Sequence, residues 1–203
     1  MPAGFNHIDV VGEKVRLRPI KTTDASVAYY LVKNEAVLST LAWDGPNNEE
    51  ELLNTYRQWE DEMKAGDGYH LAIEPWEQPG IIGCIDIRFP QHPLQADIGY
   101  WLGEPFWNRG YMTDAVRLVC HFSLKHLDAA RVSATVFMGN IGSRRALEKN
   151  DFSLDGTLRC DVYYKRGKWI DGWFFTVLRT EWEHNREKFG PRYEEVVLAK
   201  ERE

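Results

Sequence analysis

The 203-residue sequence predicts a mixed α/β domain, and three patterns along the chain support this fold class. Alternating apolar residues between positions 69 and 102 indicate an antiparallel meander of three strands. A strand, a helix and a second strand follow over 97–137, and such a unit makes its two strands parallel. Two further alternating segments indicate a closing hairpin. We expect a single domain over 1–203 with a core at about 13–182, because no linker or repeat divides the chain.

The first third of the chain indicates one strand followed by two helices. Val15–Pro19 alternates and predicts a strand. Thr23 or Asp24 is suited to cap a helix that runs toward position 33, and Glu49–Ala65 has a helical pattern. The segment 43–47 between the helices contains turn-forming residues, so we expect a loop there.

The middle of the chain indicates the meander and the parallel unit. The meander strands are predicted at 69–74, 81–89 and 97–102. In the second strand the apolar residues alternate with Asp86 and Arg88, and in the third Ile98, Tyr100 and Leu102 share one face. A helix is predicted at 113–126, then a strand at Arg131–Phe137.

The last quarter indicates a short helix, the hairpin and a charged tail. The helix is predicted at 142–150, and the hairpin strands at 158–165 and 169–178 turn around 166–168. The tail from 181 onward, including 183–203, is expected to be helical with an interruption at 190–191.

Composition and charge exclude several classes of partner. The formal net charge is −6 without a block of Lys and Arg, so binding of nucleic-acid phosphates is not expected. No apolar run approaches the roughly 18 residues of a membrane helix, and no signal peptide is recognisable, so we expect a cytoplasmic protein. Cys84, Cys120 and Cys160 are odd in number and far apart, and we expect three small buried apolar residues. The spacing of His and Cys argues against a metal site.

The segment 108–113 joins a predicted strand to a helix start. Backbone N–H groups at such a junction lack partners and can bind an anion. Gly110 permits a positive φ and close approach of a ligand, and Arg109 adds positive charge. A tight turn into the helix would explain the same residues. The glycine patterns of ATP-binding and dinucleotide-binding loops are absent, which disfavours those ligands.

Two motifs in this order resemble the GNAT superfamily of N-acetyltransferases. They read DIGYWL at 97–102 with FWNRGYMTDA at 106–115, and NIGSRRALEKNDF at 140–152. More narrowly, they are similar to the branch with the ribosomal-protein alanine N-acetyltransferases and the spermidine acetyltransferases. The resemblance covers about 15–179. It implies a twisted, mostly antiparallel sheet with one parallel, splayed strand pair and helices on both faces.

The motifs depart from the family pattern at several positions. A loop glycine is Asn108 here, and the glycine before Phe152 is Asp151. Asn and Asp adopt left-handed backbone more readily than most residues, so we expect both turns to keep their shape. Asp114 stands in place of a family Glu at the helix start.

The resemblance implies acetyl-CoA as the acetyl donor, without a metal. The backbone near Tyr100, Trp101 and Leu102 would pair with the pantetheine. The pyrophosphate would lie on Asn108, Arg109, Gly110, Tyr111, Met112 and Thr113. Asn140 would bond the pantetheine, and Ser143 would stand near the thioester sulfur.

Acetylation of an amine through a tetrahedral intermediate requires that the amine lose a proton to a base. Asp97 is the first candidate base and Glu104 the second, although either could be a solvated surface carboxylate. Ser143 is the candidate acid, with helix capping as the alternative. Trp43 and Tyr163 are candidates for the acceptor pocket, where core packing would explain them as well.

The sequence leaves the acceptor open. We expect a primary amine, either a protein N-terminus or an amine-bearing small molecule. The alternatives are a polyamine or aminoglycoside acetyltransferase, which the acidic balance favours, and a module of this fold that binds acyl-CoA without turnover. The aromatic hairpin and charged tail are compatible with a homodimer.

Overall fold

A nine-stranded sheet forms the centre of the molecule in the computed structural model, which describes residues 7–165, 167–189 and 196–199. The strands are β1 (His7–Val11), β2 (Val15–Pro19), β3 (Gly68–Pro75), β4 (Gly83–Arg88), β5 (Gln95–Leu102), β6 (Arg131–Phe137), β7 (Ser153–Lys165), β8 (Lys168–Leu178) and β9 (Val196–Ala199). The helices are α1 (Ala25–Val32), α2 (Glu35–Leu38), α3 (Glu49–Ala65), α4 (Tyr111–His121), α5 (Ile141–Glu148) and α6 (Arg179–Phe189).

The strands lie in the order β7-β8-β6-β5-β4-β3-β2-β1-β9. Paired neighbours are antiparallel except β5 and β6, which the crossover through α4 makes parallel. The predicted meander is β3, β4 and β5, and the predicted hairpin is β7 and β8. The predicted fold class is therefore confirmed, including the single parallel pair.

Two apolar layers attach the helices to the two faces of the sheet. One layer contains α4, whose Val119 is fully buried against the sheet. The other contains α1 and α3, and its largest fully buried side chain is Tyr56 of α3. Successive residues of a strand point to opposite faces. At the end of β5, Leu102 accordingly joins the first layer and Trp101 joins the second.

The sheet extends further at one edge than the sequence predicts. β1 is an additional strand, and β9 pairs with it antiparallel. The prediction of a helical tail is confirmed as far as Phe189 but is wrong for Val196–Ala199. The segment Val196–Ala199 is apolar and contains two β-branched residues. It pairs with backbone groups at the edge of β1, and this pairing favours a strand. The predicted interruption at 190–191 and position 166 of the predicted turn lie outside the described residues.

One of the three cysteine predictions is wrong. Cys84 and Cys120 are buried, as expected, but Cys160 is exposed. It lies in β7 where the pairing with β8 shifts register between Leu158 and Tyr163, and its φ of 50° is left-handed. A bulge of this kind turns a residue out of the regular alternation, which the sequence pattern does not reveal.

The amino end of α4 is fixed to β2 by the side chain of Asp114. Its Oδ2 accepts hydrogen bonds from the backbone N–H groups of Lys14 at 2.7 Å and Val15 at 3.1 Å. Asp114 is 4% exposed, so water cannot readily replace it as the acceptor. It therefore fixes the position at which α4 begins.

We expect Asp114→Ala to lower the free energy of unfolding by about 2–6 kcal/mol, because two backbone donors lose their acceptor at roughly 1–3 kcal/mol each. Chemical denaturation followed by circular dichroism measures the change. Asp114→Asn is the matched control, since its amide oxygen keeps an acceptor and a smaller loss is expected. Equal losses in the two variants would contradict this explanation.

Candidate active site

The parallel strands β5 and β6 separate to form a cleft. Their registered pairs are Gln95 with Arg131, Ala96 with Val132 and Asp97 with Ser133. β5 continues to Leu102 while it pairs with β4, and β6 continues to Phe137 while it pairs with β8. The gap between them belongs to a cavity of about 970 Å³ that residues from both strands line.

The loop before α4 lies at one end of this cavity. Asn108 has a φ of 61° and Gly110 a φ of 83°, both left-handed. The prediction that Asn108 keeps the loop's shape in place of glycine is confirmed, as is the corresponding prediction for Asp151, whose φ is 60°. The loop residues that line the cavity are Asn108, Gly110, Tyr111, Met112 and Thr113.

Positive side chains accompany this loop. Arg145 and Lys149 line the cavity from α5 and the residue after it. Arg109 is exposed and is not among the lining residues, and its carbonyl oxygen accepts a hydrogen bond from Lys14 Nζ at 2.9 Å. Lys14 cannot be identified from the sequence, because nothing local in it indicates that β2 begins beside a loop 95 residues away.

The part of β5 that no longer pairs with β6 places two polar groups in the cleft, the Leu102 carbonyl oxygen and the Tyr100 hydroxyl. Trp107 Nε1 donates to the carbonyl oxygen of Leu102 at 2.7 Å, so that oxygen already has a partner. Tyr100 reaches α5, where its hydroxyl lies 2.6 Å from Ser143 Oγ. Burial raises the pKa of Tyr100 above its ordinary value, so the phenol is protonated at neutral pH. A chain of two hydroxyls therefore lies between β5 and α5.

Asn140 caps α5. Its Oδ1 accepts from the backbone N–H of Ser143 at 3.1 Å, which leaves its side-chain NH₂ group as a donor. Both residues line the cavity. The structure thus brings Asn140, Ser143 and Tyr100 to the same stretch of the cleft.

A cluster of two carboxylates and one guanidinium lies on β4 and β5, next to the point where β5 and β6 separate. Arg88 Nε is 2.9 Å from Asp86 Oδ2, and Arg88 Nη2 is 3.0 Å from Asp97 Oδ1. Ser133 Oγ donates to Asp97 Oδ2 at 3.1 Å. Asp97 therefore has both oxygens occupied by side chains, whereas the side-chain partner of Asp86 within the described residues is Arg88.

Gly99 makes room for this cluster. It pairs with Asp86 across β4 and β5. A Cβ atom at Gly99 would lie 2.8 Å from Asp86 Oδ1 and 3.0 Å from Arg88 Nη2. A side chain at Gly99 would therefore displace the Asp86 carboxylate and the Arg88 guanidinium from their present positions.

Both carboxyl groups have raised pKa values. Burial raises the pKa of Asp86 from its ordinary 3.8 to about 6, against the lowering effect of Arg88. Burial likewise raises the pKa of Asp97, opposed by Arg88, Ser133 and Arg131. A carboxyl group whose pKa lies near 6 can both accept and release a proton at neutral pH. The sequence does not mark Asp86 as a site residue, because polar residues that alternate along a strand usually face solvent.

α3 and β3 contribute further residues to the cavity, and His70 of β3 pairs with Asp86 of β4 in the sheet. His70 Nε2 lies 2.9 Å from Glu62 Oε2, and the imidazole stacks on Trp59 with ring centroids 4.3 Å apart. Burial lowers the pKa of His70, so the ring is held neutral. With Asp67, these residues line the cavity and add two carboxylates to Asp86 and Asp97. This end of the cleft is therefore acidic.

The remaining candidates are placed differently. Trp43 and Tyr163 line the cavity, and the Tyr163 ring packs on Phe137 with centroids 4.6 Å apart. Glu104 does not line it, and its Oε2 accepts from Asn34 Nδ2 at 2.7 Å. Glu104 thus holds the start of α2, since Asn34 is the N-cap of that helix.

The residues that the structure describes contain no group of three or more His, Cys, Asp or Glu side chains that could hold a metal ion. None of the helices described is both long enough and apolar enough to cross a membrane.

The sequence is similar to known acetyltransferases over most of its length. Residues 14–153 match the family described as "Acetyltransferase (GNAT) domain". "Probable N-acetyltransferase YjcK" of Bacillus subtilis (strain 168) is 28% identical over 176 residues, which are 84% of this chain and 97% of that protein. "Putative ribosomal N-acetyltransferase YdaF" of the same organism is 26% identical over 180 residues, 85% of this chain and 96% of that protein.

Solved structures share the fold. "Mycobacterium smegmatis RimJ in complex with CoA-disulfide" superposes with a TM-score of 0.76 at 21% identity, and covers 89% of this chain and 91% of that one. An acetyltransferase of the GNAT family from Bacillus anthracis gives a TM-score of 0.75 at 18% identity, over 85% of this chain and 99% of that one. At such identities the likeness concerns the fold.

Proposed function

The chain belongs to the GNAT acetyltransferase family and is an acyltransferase, and we propose that it moves the acetyl group of acetyl-CoA to a primary amine bound at the acidic end of the cleft. One observation carries the proposal: the two ends of a single cleft differ in charge. The loop before α4, with Arg145 and Lys149, suits an anion. Toward α3 and β3, the four carboxylates of Glu62, Asp67, Asp86 and Asp97 outnumber the single guanidinium of Arg88, and this excess of negative charge suits an amine.

The residues present fit acetyl-CoA as the donor, which supplies an activated thioester. The N–H groups of Asn108 to Thr113, with Lys14 nearby, would hold its phosphates. The open edge of β5 and the Asn140 side chain would hold the pantetheine, except at the Leu102 oxygen that Trp107 occupies. The Ser143 hydroxyl, bonded to Tyr100, would donate a proton to the leaving sulfur.

The acidic cluster would remove the proton from the amine. Asp97 remains a proposed base, and we add Asp86, since it has fewer side-chain partners and a pKa near 6. Because Arg88 contacts both carboxylates, the two act as a coupled pair rather than as independent groups. The acceptor class is a protein N-terminus or a small amine, and the name of the relative YdaF favours the former.

The proposal is tested by calorimetry with acetyl-CoA and by thiol release over a panel of peptides, polyamines and aminoglycosides. We expect binding of acetyl-CoA and CoA release that depends on the acceptor. Binding without release for any amine would favour a non-catalytic module, and failure to bind acetyl-CoA would refute the proposal.

We expect kcat to fall as the pH is lowered through about 6, because the carboxyl pair must be ionised to accept a proton. Arg88 lowers the pKa of both carboxyl groups. Arg88→Gln should therefore move this acidic limb to higher pH. A pH profile of kcat for both proteins measures the shift. A limb that stays at the same pH in Arg88→Gln would contradict the role of the pair.

A further inference from the structure

Lys165, near the end of β7, places its ammonium group among three backbone carbonyls. Its Nζ donates to the oxygens of Leu38 at 2.6 Å, Leu41 at 2.7 Å and Trp43 at 3.0 Å. The side chain is 5% exposed. A lysine ammonium has three donors, and here each of the three has an acceptor.

This arrangement is not an ordinary ion pair. Among the described residues, the carboxylate within ion-pair distance of Lys165 is that of Asp44, at 3.5 Å, and the Asp44 side chain is 85% exposed. A carboxylate so accessible to water offsets little of the cost of burying a charge. The three carbonyls are therefore the main partners of the ammonium. Its removal takes this donor from the Leu41 and Trp43 oxygens, while the Leu38 oxygen still accepts from the backbone N–H of Leu41.

The three carbonyls belong to one segment that lines the cleft. Residues 37 and 40–43 of this segment all face the cavity, Trp43 among them. The Glu104–Asn34 hydrogen bond holds the other end of the segment, at the start of α2. Tyr163, two residues before Lys165, lines the cavity from the hairpin. Lys165 thus joins two walls of the cleft that lie more than 120 residues apart in sequence.

We infer that Lys165 is a positioning residue that holds the segment 38–43, and with it Trp43, at the acceptor end of the cleft. The inference rests on the proposed function, because it assumes that the amine binds on this side. The segment also has apolar contacts of its own, since Val37 beside it is buried in the layer of α1 and α3 and both Leu38 and Leu41 pack against that layer. Loss of the ammonium should therefore loosen the wall and leave the fold intact.

The test compares Lys165→Met with Lys168→Met. Lys168 pairs with Lys165 across the hairpin and is exposed, so the control removes the same charge from the same place in the sheet. We expect Lys165→Met to raise the KM for the amine about tenfold while the Kd for acetyl-CoA stays within about twofold. Lys168→Met should change neither. Lys165→Arg, which keeps donors and charge, should restore part of the loss.

Amide hydrogen exchange of residues 39–44 is a measurement that does not require the acceptor amine to be known. We expect faster exchange there in Lys165→Met than in Lys168→Met, with unchanged exchange in α4. Should Lys165→Met not fold, Lys165→Gln, which keeps an NH₂ donor, serves with the same measurements. Equal exchange of residues 39–44 in Lys165→Met and Lys168→Met would overturn the inference. A Lys165→Met protein that loses acetyl-CoA binding and amine binding to the same extent would also overturn it. A wild-type protein that acetylates no amine refutes the proposed function, and the exchange comparison then still decides the role of Lys165.

Discussion

Asp86→Asn should lower kcat at pH 7.5 by about 100-fold, which is the lower part of the range that removal of a general base produces. The variant keeps the shape of the side chain and removes its capacity to take a proton from the amine. Binding of acetyl-CoA should be unaffected, because Asp86 lies on β4 opposite Gly99 and is not among the residues proposed to hold the cofactor. Steady-state kinetics and calorimetry on the same preparation separate the two effects.

The same substitution should stabilise the folded protein at alkaline pH. The pKa of Asp86 is raised in the folded state, so this group stabilises the fold while protonated, and that stability is lost as the pH rises through about 6. A neutral amide avoids this loss. The gain in the free energy of unfolding at pH 8 is expected to be on the order of 1–3 kcal/mol and should vanish near pH 4. Low activity in a stabilised variant cannot be attributed to unfolding.

Asp97→Asn is the control that distinguishes the two carboxyl groups. The charge of Asp97 raises the pKa of Asp86. If Asp86 is the base, Asp97→Asn should move the acidic limb of the pH profile to lower pH while the plateau largely persists. A collapse of the plateau in Asp97→Asn, together with a normal plateau in Asp86→Asn, would assign the base to Asp97 instead.

The contrast between Asp97 and Asp86 shows which residues of the site can be identified from the sequence alone. Asp97 lies in a motif that resembles a family pattern, so it is identifiable without coordinates. Asp86 lies in a strand whose alternation of polar and apolar residues is the same as that of a strand with one face in water. Its polar face becomes part of the cleft because His70 of β3 lies beside Asp86 in the sheet and α3 places Glu62 on His70, and contacts of this kind arise from tertiary structure.

The helices and strands show the same difference between local patterns, which the sequence reveals, and tertiary contacts, which it does not. Elements with a long periodic pattern, such as α3 and β6, are predicted with bounds identical to those observed. The elements that are missed are short or depend on distant partners: α2 has four residues, and β9 forms because β1 offers an edge. Glu104 illustrates the limit for single residues, since its sequence position beyond a motif strand suggests catalysis while its contact with Asn34 indicates a support for α2.

Gly110→Trp should weaken acetyl-CoA binding by about 100-fold, corresponding to two lost charge-assisted hydrogen bonds at roughly 1.5 kcal/mol each. Gly110 is the N-cap of α4 with a φ of 83°, where any side chain is strained. A Cβ atom there would lie 3.4 Å from Lys14 Nζ, which is itself bonded to the oxygen of Arg109. The indole would thus cover the loop amides and displace the nearest ammonium group. Calorimetry with acetyl-CoA measures the loss.

Gly167→Trp is the matched control for this prediction. Gly167 has a φ of 76°, so the same substitution carries a similar conformational cost, and a Cβ atom there would meet nothing within 4 Å. It lies at the tip of the hairpin and does not line the cavity. If the loop before α4 holds the phosphates, the two variants should lose comparable stability while Gly110→Trp alone loses affinity. Equal affinities for acetyl-CoA would place the phosphates elsewhere, and the positive charges of Arg145 and Lys149 would then be the next groups to remove.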